Sequence, residues 1–151
     1  MFIKQISIFV ENKPGRLSAV TNILKENNID IKALSIANTR YFGIFRLIVD
    51  DSQKACEALK NADFTCTVTL TDVMAVAVDD TPGGLAKIME LLYAGQISIA
   101  YMYAFISKTD KEAFVILRVE DNDTAEKIFA ENNVKCLTQS DIRVIDKRKL
   151  H

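Results

Sequence analysis

Lys13-Pro14-Gly15-Arg16-Leu17 returns as Thr81-Pro82-Gly83-Gly84-Leu85, 68 positions later in a chain of 151 residues. The same offset carries Ile6, Ile8 and Val10 onto Met74, Val76 and Val78, and Val20, Ile23 and Leu24 onto Ile88, Leu91 and Leu92. It also carries Ile29-Asp30-Ile31 onto Ile97-Ser98-Ile99. Beyond that point the offset becomes 70, and Gly43–Asp51 aligns with Ala113–Asp121. The change falls between 38–42 and 107–112, in a loop where added residues cost least. A fixed period of this size marks one structural unit written twice.

Each copy reads alike. Ile6, Ile8 and Val10 alternate as a half-buried strand does, and Pro14-Gly15 stops that strand. Leu17, Val20, Ile23 and Leu24 keep helical spacing up to Asn27-Asn28. Residues 29–37 and 43–49 alternate as two strands. Asp50, Asp51 and Ser52 suit the N-cap of a second helix over 53–61. Residues 64–71, rich in Thr and Val, close the unit as a fourth strand. The order βαββαβ is the ferredoxin-like split βαβ, and right-handed crossovers place both helices on one face of an antiparallel sheet. The fold class is therefore α+β, with units at 1–70 and 71–145 and a basic tail at 146–151. The link between units is at most Thr71-Asp72. In the second copy, Ile99–Phe105 is apolar on both sides, which predicts burial on both faces against another unit, in the same chain or in a second copy.

Composition narrows the function. A net charge of −1 supplies no broad basic surface for nucleic acid or anionic lipid. Three cysteines without CxxC spacing argue against a disulfide framework or a zinc knuckle, and a reducing cytoplasm fits them. No signal peptide is read at the N-terminus, and the apolar run 97–106 is too short to span a bilayer. The single histidine is His151, the last residue, so a histidine-based nucleophile system is not expected. Cys66 and Cys136 fall at matching strand positions and read as core. The acidic groups Asp50-Asp51, Asp79-Asp80 and 120–123 read as caps and turns, without calcium-ligand spacing. Neither a metal nor a cofactor is expected.

One constellation remains. Asn12-Lys13-Pro14-Gly15-Arg16-Leu17 forms a turn that opens a helix, whose free N–H groups attract a carboxylate. Asn12 can donate and accept. Asn28-Ile29-Asp30 leads into the second strand, and Asp30 offers an anionic acceptor for an ammonium. Together these groups suit an α-amino acid. Equally, Pro-Gly is a common turn and Asp30 a common helix end, and the spacing alone leaves both readings open.

The same residues resemble the ACT domain signature. Glu11–Leu17, a helix, then Asn28-Ile29-Asp30-Ile31 is similar to one occurrence. Asp80-Thr81-Pro82-Gly83-Gly84-Leu85 with Gly95-Gln96-Ile97-Ser98-Ile99 is similar to a second. The resemblance covers nearly the whole chain. It implies a regulatory, non-enzymatic module that binds a free amino acid where two ACT units meet. There, the loop after strand one of one unit faces the start of strand two of the other. Carried over by position, the implied ligand residues are Asn12, Lys13, Pro14, Gly15, Arg16, Leu17, Asn28, Ile29 and Asp30 in copy one. In copy two they are Asp80, Thr81, Gly83, Gly84, Leu85, Ile97 and Ser98. Asp80 replaces Asn12 and Ser98 replaces Asp30, so the two copies are not expected to be equivalent. Asp30 mildly favours a polar or cationic ligand side chain such as histidine, lysine or serine. The expected localisation is cytoplasmic, from the cysteines and the apolar run above, and the resemblance further implies a homodimer that signals through its oligomeric state or through a regulated partner.

Two rivals share the topology. An RNA-binding pair would use Arg40-Tyr41-Phe42-Gly43-Ile44-Phe45, which is loosely similar to an aromatic third-strand motif. Charge and the second copy, Asp110–Phe114, speak against it. A small ferredoxin-like enzyme would need a convergent acid–base pair, which the sequence does not display.

Overall fold

The computed structural model describes residues 1–62, 66–106 and 112–144. The expected basic tail at 146–151 lies outside them. The elements are β1 (Ile3–Glu11), α1 (Arg16–Glu26), β2 (Ile31–Asn38), β3 (Phe42–Val49), α2 (Ser52–Lys60), β4 (Cys66–Asp79), α3 (Gly84–Ala94), β5 (Ile99–Ala104), β6 (Glu112–Val119), α4 (Asn122–Glu131) and α5 (Gln139–Val144). Two compact units result: Lys4–Thr71, and Asp72 onward together with Met1–Ile3.

In the first unit the strand order is β2-β3-β1-β4. β1 and β2 both pair antiparallel with β3, with Ile8 opposite Phe45 and Leu34 opposite Leu47. Alternation decides the core. Ile6, Ile8 and Val10 of β1 and Phe45, Leu47 and Val49 of β3 meet Val20 and Leu24 of α1 and Ala55, Cys56 and Leu59 of α2. At about 25 cal/mol per Å² of apolar surface removed from water, this cluster holds the helices on that face.

The second unit repeats the scheme in the order β4-β6-β5. Met74, Val76 and Val78 face Ile88, Leu92, Ala125 and Phe129. Its fourth strand is shorter than the repeat predicts. Around Cys136 it shrinks to an isolated bridge with Val76, held by Ala77 N–H to Lys135 O (2.9 Å) and Leu137 N–H to Ala75 O (2.7 Å). The chain just beyond explains the shortening. Asp141 accepts from the Thr138 N–H (2.9 Å) and donates its own N–H to Thr138 Oγ1 (3.1 Å). This reciprocal cap starts α5 and ends the extended chain.

β5 is not covered on both faces within the single chain. It lies at the end of its unit's strand order, and Ile99 and Met102 are exposed. Of the two expected sources of cover, a second copy is the one consistent with this exposure.

Helix ends arise from local chemistry. Asp51 accepts from the Lys54 N–H (3.1 Å) and Asp121 from the Thr124 N–H (3.0 Å), capping α2 and α4. Hydrogen bonds from Thr124 hold the exposed Asp121 carboxyl below its usual range. At the other ends, Asn28, Gln96 and Asn133 take φ of 56°, 56° and 57°. The following residues close the turn, as Ile29 N–H does to Leu24 O (2.9 Å) and Ile97 N–H to Leu92 O (2.9 Å). Glutamine is the least suited of the three to this left-handed backbone. Gln96→Gly is therefore expected to stabilise the fold by about 0.5–1 kcal/mol, read as a higher urea midpoint with an unchanged slope.

Candidate functional site

The two turns are built on glycine. Gly15 and Gly83 adopt φ of 85° and 90°, and neither helix that begins there has a side-chain N-cap bond. This separates α1 and α3 from α2 and α4, whose first turns are closed by their own aspartates. Arg16 N–H still reaches Lys13 O (3.3 Å) and Ala19 N–H reaches Gly15 O (2.9 Å). The N–H groups of Leu17 and Ser18 open the helix with no capping side chain, a setting that favours an anion.

In the first unit this turn borders a concavity of about 200 Å³. That is smaller than the roughly 300–1,000 Å³ of drug-sized pockets and suits a small metabolite. Five of the expected residues line it: Asn12, Lys13, Gly15, Arg16 and Leu17. Pro14 does not. Glu11 and Ser18 flank the five, and the facing wall comes from the β2–β3 hairpin, as Ile36, Asn38, Gly43 and Phe45, none of them among the expected ligand residues. They belong together because Ile36 pairs with Phe45 and Asn38 with Gly43.

The hairpin and the turn are tied together. Asn12 donates its N–H to Tyr41 O (2.8 Å) and its Nδ2 to Thr39 O (3.3 Å). Thr39 in turn closes the hairpin, Oγ1 donating to Phe42 O (3.1 Å) and accepting from Phe42 N–H (3.0 Å). Lys13 Nζ lies 2.6 Å from Glu11 Oε2. The hydrogen bond and charge of Lys13 hold the Glu11 carboxyl below its usual range. Much of the Lys13 charge is therefore answered locally.

Asn28, Ile29 and Asp30 lie at the far end of α1, an 11-residue helix and so about 16 Å long. Within this unit they do not meet the turn. Asn28 serves as the left-handed helix end and Ile29 joins the core. The Asp30 carboxylate accepts from Lys32 Nζ at 2.8 Å, and the Lys32 side chain is only 3% exposed. The backbone explains that burial. β2 carries a bulge between Ile31 and Ala33, so Lys32 is an extra residue opposite β3, and bulges re-aim side chains. The second copy has the same bulge between Ile99 and Tyr101, with Ala100 in place of Lys32 and Ser98 in place of Asp30. Both charges of the pair are lost together.

The second turn has different surroundings. A Cβ on Gly84 would lie 2.0 Å from Asp79 O, whereas Arg16 carries a side chain at the matching position of copy one. A concavity of about 100 Å³ there is lined by Asp79, Gly84, Lys87, Glu112, Asn133 and Lys135, among others. Of the expected residues only Gly84 contributes. Asp80, Thr81, Gly83 and Leu85 lie outside its lining, and Ile97 and Ser98 come after α3, at its other end.

Burial raises all three cysteine thiols, which keeps them protonated and poorly nucleophilic. Among the described residues no group of three His, Cys, Asp or Glu is placed to hold a metal ion, and no helix is long and apolar enough to cross a membrane.

The model of the family described as an ACT domain pair matches residues 1–145. The chain belongs to the ACT domain pair family. Protein BT0572 from Bacteroides thetaiotaomicron, known as a crystal structure, is similar to this ACT pair at 40% identity. The match covers 95% of this chain and 96% of that one, with a TM-score of 0.86. The ligand-free regulatory subunit of aspartate kinase from Thermus thermophilus is similar at 18% identity and a TM-score of 0.61, over 85% of this chain and 91% of that one. The same subunit from Thermus flavus gives 19%, 0.52, 85% and 90%. These two likenesses speak to the fold. A search of the curated proteins found no match. The ACT pair is thus an α+β protein of two ferredoxin-like units with antiparallel sheets, as the repeat predicts.

Proposed function

We propose that this ACT pair is a regulatory sensor that takes up a free amino acid at the turn of its first unit and performs no chemistry on it. One observation carries the reading. The uncapped N-terminus of α1, the side chains of Asn12 and Arg16, and an apolar floor of Ile36 and Phe45 border one small concavity. An α-amino acid offers a matching set: a carboxylate for the helix N–H groups, an ammonium for a carboxamide oxygen, and a side chain for the floor. The relatives support a regulatory role, since two of the similar structures are regulatory subunits of an enzyme. In this reading the protein works as a homodimer. The ligand acts by linkage, favouring whichever arrangement of dimer or partner it binds better.

A thermal-shift screen of the twenty protein amino acids tests the proposal. Ligand at 100 times its Kd adds about 2.7 kcal/mol to the native state, which raises Tm by roughly 5–10 °C in a protein of this size. One or a few amino acids are expected to give such a rise. Silence from all twenty at millimolar concentration sinks the sensor reading.

A further inference from the structure

The wall that the β2–β3 hairpin adds to the first-unit concavity rests on a missing side chain. Gly43 is buried in β3 opposite both Val10 and Asn38. A Cβ there would meet Asn38 Oδ1 at 3.0 Å and the Phe45 ring at 3.2 Å. Its absence lets the Asn38 carboxamide and the Phe45 ring share one wall. Among the described residues no protein group hydrogen-bonds to that carboxamide, whereas Asn12 spends its Nδ2 on Thr39 O. A carboxamide brings two donor hydrogens and two acceptor lone pairs, enough to serve an ammonium and a carboxylate on one carbon.

The second unit shows the same frame with these features removed. Leu34 opposite Leu47 corresponds to Met102 opposite Leu117, so Ile36 and Phe45 correspond to Ala104 and Val115. One step on, Asn38 and Gly43 correspond to Ile106 and Ala113. The glycine has gained its methyl group and the carboxamide has become an exposed isoleucine. The floor has shrunk from Ile and Phe to Ala and Val. A cationic ligand side chain also loses its support, because Asp30 holds Lys32 at the far end of α1.

We infer that Asn38, seated over Gly43, is the residue that anchors the ligand in the first unit. Its carboxamide reads the α-ammonium and α-carboxylate of an aliphatic amino acid whose side chain rests on Ile36 and Phe45. The second unit has lost this function. The inference rests on the sensor reading proposed above and adds the ligand class, the anchoring residue and the unit that binds.

The test is calorimetric titration of the 151-residue chain with the amino acid panel, on wild type and Asn38→Ile, which installs the second unit's residue. Wild type is expected to bind one or more of valine, leucine, isoleucine and methionine. Asn38→Ile is expected to weaken that binding at least tenfold, about the worth of one good hydrogen bond, with little change in the Tm of the unliganded protein. Ile106→Asn in the second unit should leave wild-type affinity unchanged. Should Asn38→Ile fold poorly, Asn38→Ala must show the same tenfold loss. Undiminished binding by the Asn38 variants overturns this inference and leaves the sensor reading standing. A response confined to polar or cationic amino acids overturns the ligand class. Absence of any response in wild type overturns both readings.

Discussion

Gly84→Ala is expected to destabilise the protein by at least about 3 kcal/mol, a loss near the upper end for overpacking, and to lower Tm by roughly 6–12 °C. The reason is contact with backbone. The new Cβ would sit 2.0 Å from Asp79 O and 3.3 Å from a Val78 methyl group. A carbonyl in a paired strand cannot swing aside as a long side chain can, so the turn or the strand must shift. Gly15→Ala and Gly83→Ala provide the contrast. Both glycines have positive φ, yet a Cβ on either meets nothing within 4 Å. Each should cost only about 1 kcal/mol of backbone strain. Urea unfolding of the three variants decides the matter. Equal losses at all three positions would mean that backbone conformation, not the close approach at Gly84, governs the turn.

Asp30→Ala should be the second large effect, at about 2 kcal/mol. Removing one partner of a buried ion pair typically costs about 3–5 kcal/mol, and the half-exposed Asp30 side chain reduces that figure because water still reaches it. Lys32→Met should be much milder, since an apolar side chain of similar length suits a site so nearly closed to water once the charge is gone. The double variant should recover most of the Asp30→Ala loss. A double-mutant cycle reads the coupling directly, with an expected value above about 1 kcal/mol. An Asp30→Ala protein as stable as wild type would show that Lys32 does not depend on its partner. The experiment also guards the ligand work, because an Asp30 variant that loses a ligand response through instability mimics one that loses a contact.

Much of this molecule was legible in its amino-acid sequence, for reasons that can be named. The turn Lys13–Leu17 and its copy set the period. The alternation of Ile6, Ile8 and Val10 set the buried face of β1. Asp51 and Asp121 announced two helices. What escaped reading depends on partners distant along the chain. Asn38 and Gly43 matter because antiparallel register sets them opposite each other, and nothing local marks that pairing. Lys32 is buried because of a bulge, and a strict period of two cannot show a bulge. The bond from Lys32 to Asp30 follows from the same bulge, which turns Lys32 back toward the carboxylate two residues before it. The cap that begins α5 was readable, since Thr138-Gln139-Ser140-Asp141 has the spacing of a reciprocal cap. It competes with the repeat, which places a strand over the same stretch, and the cap prevails beyond the single bridge at Cys136.

β4 is one unbroken strand of 14 residues, Cys66–Asp79, while Met1–Ile3 belong to the same compact unit as Asp72 and the residues after it. This arrangement shapes the birth of the protein. Residues 1–3 leave the ribosome well before any of the strands they pack with, and Phe2 and Ile3 must wait through most of seventy residues of synthesis for their places. Closing so long a loop adds little free energy beyond a loop half its length, about 0.6 kcal/mol, but it delays completion of the second unit until the first has been made. A gene cut between codons 71 and 72 would therefore yield two unequal fragments. Residues 1–71 would be left with Phe2 and Ile3 uncovered, and the fragment from Asp72 would lack part of its own core.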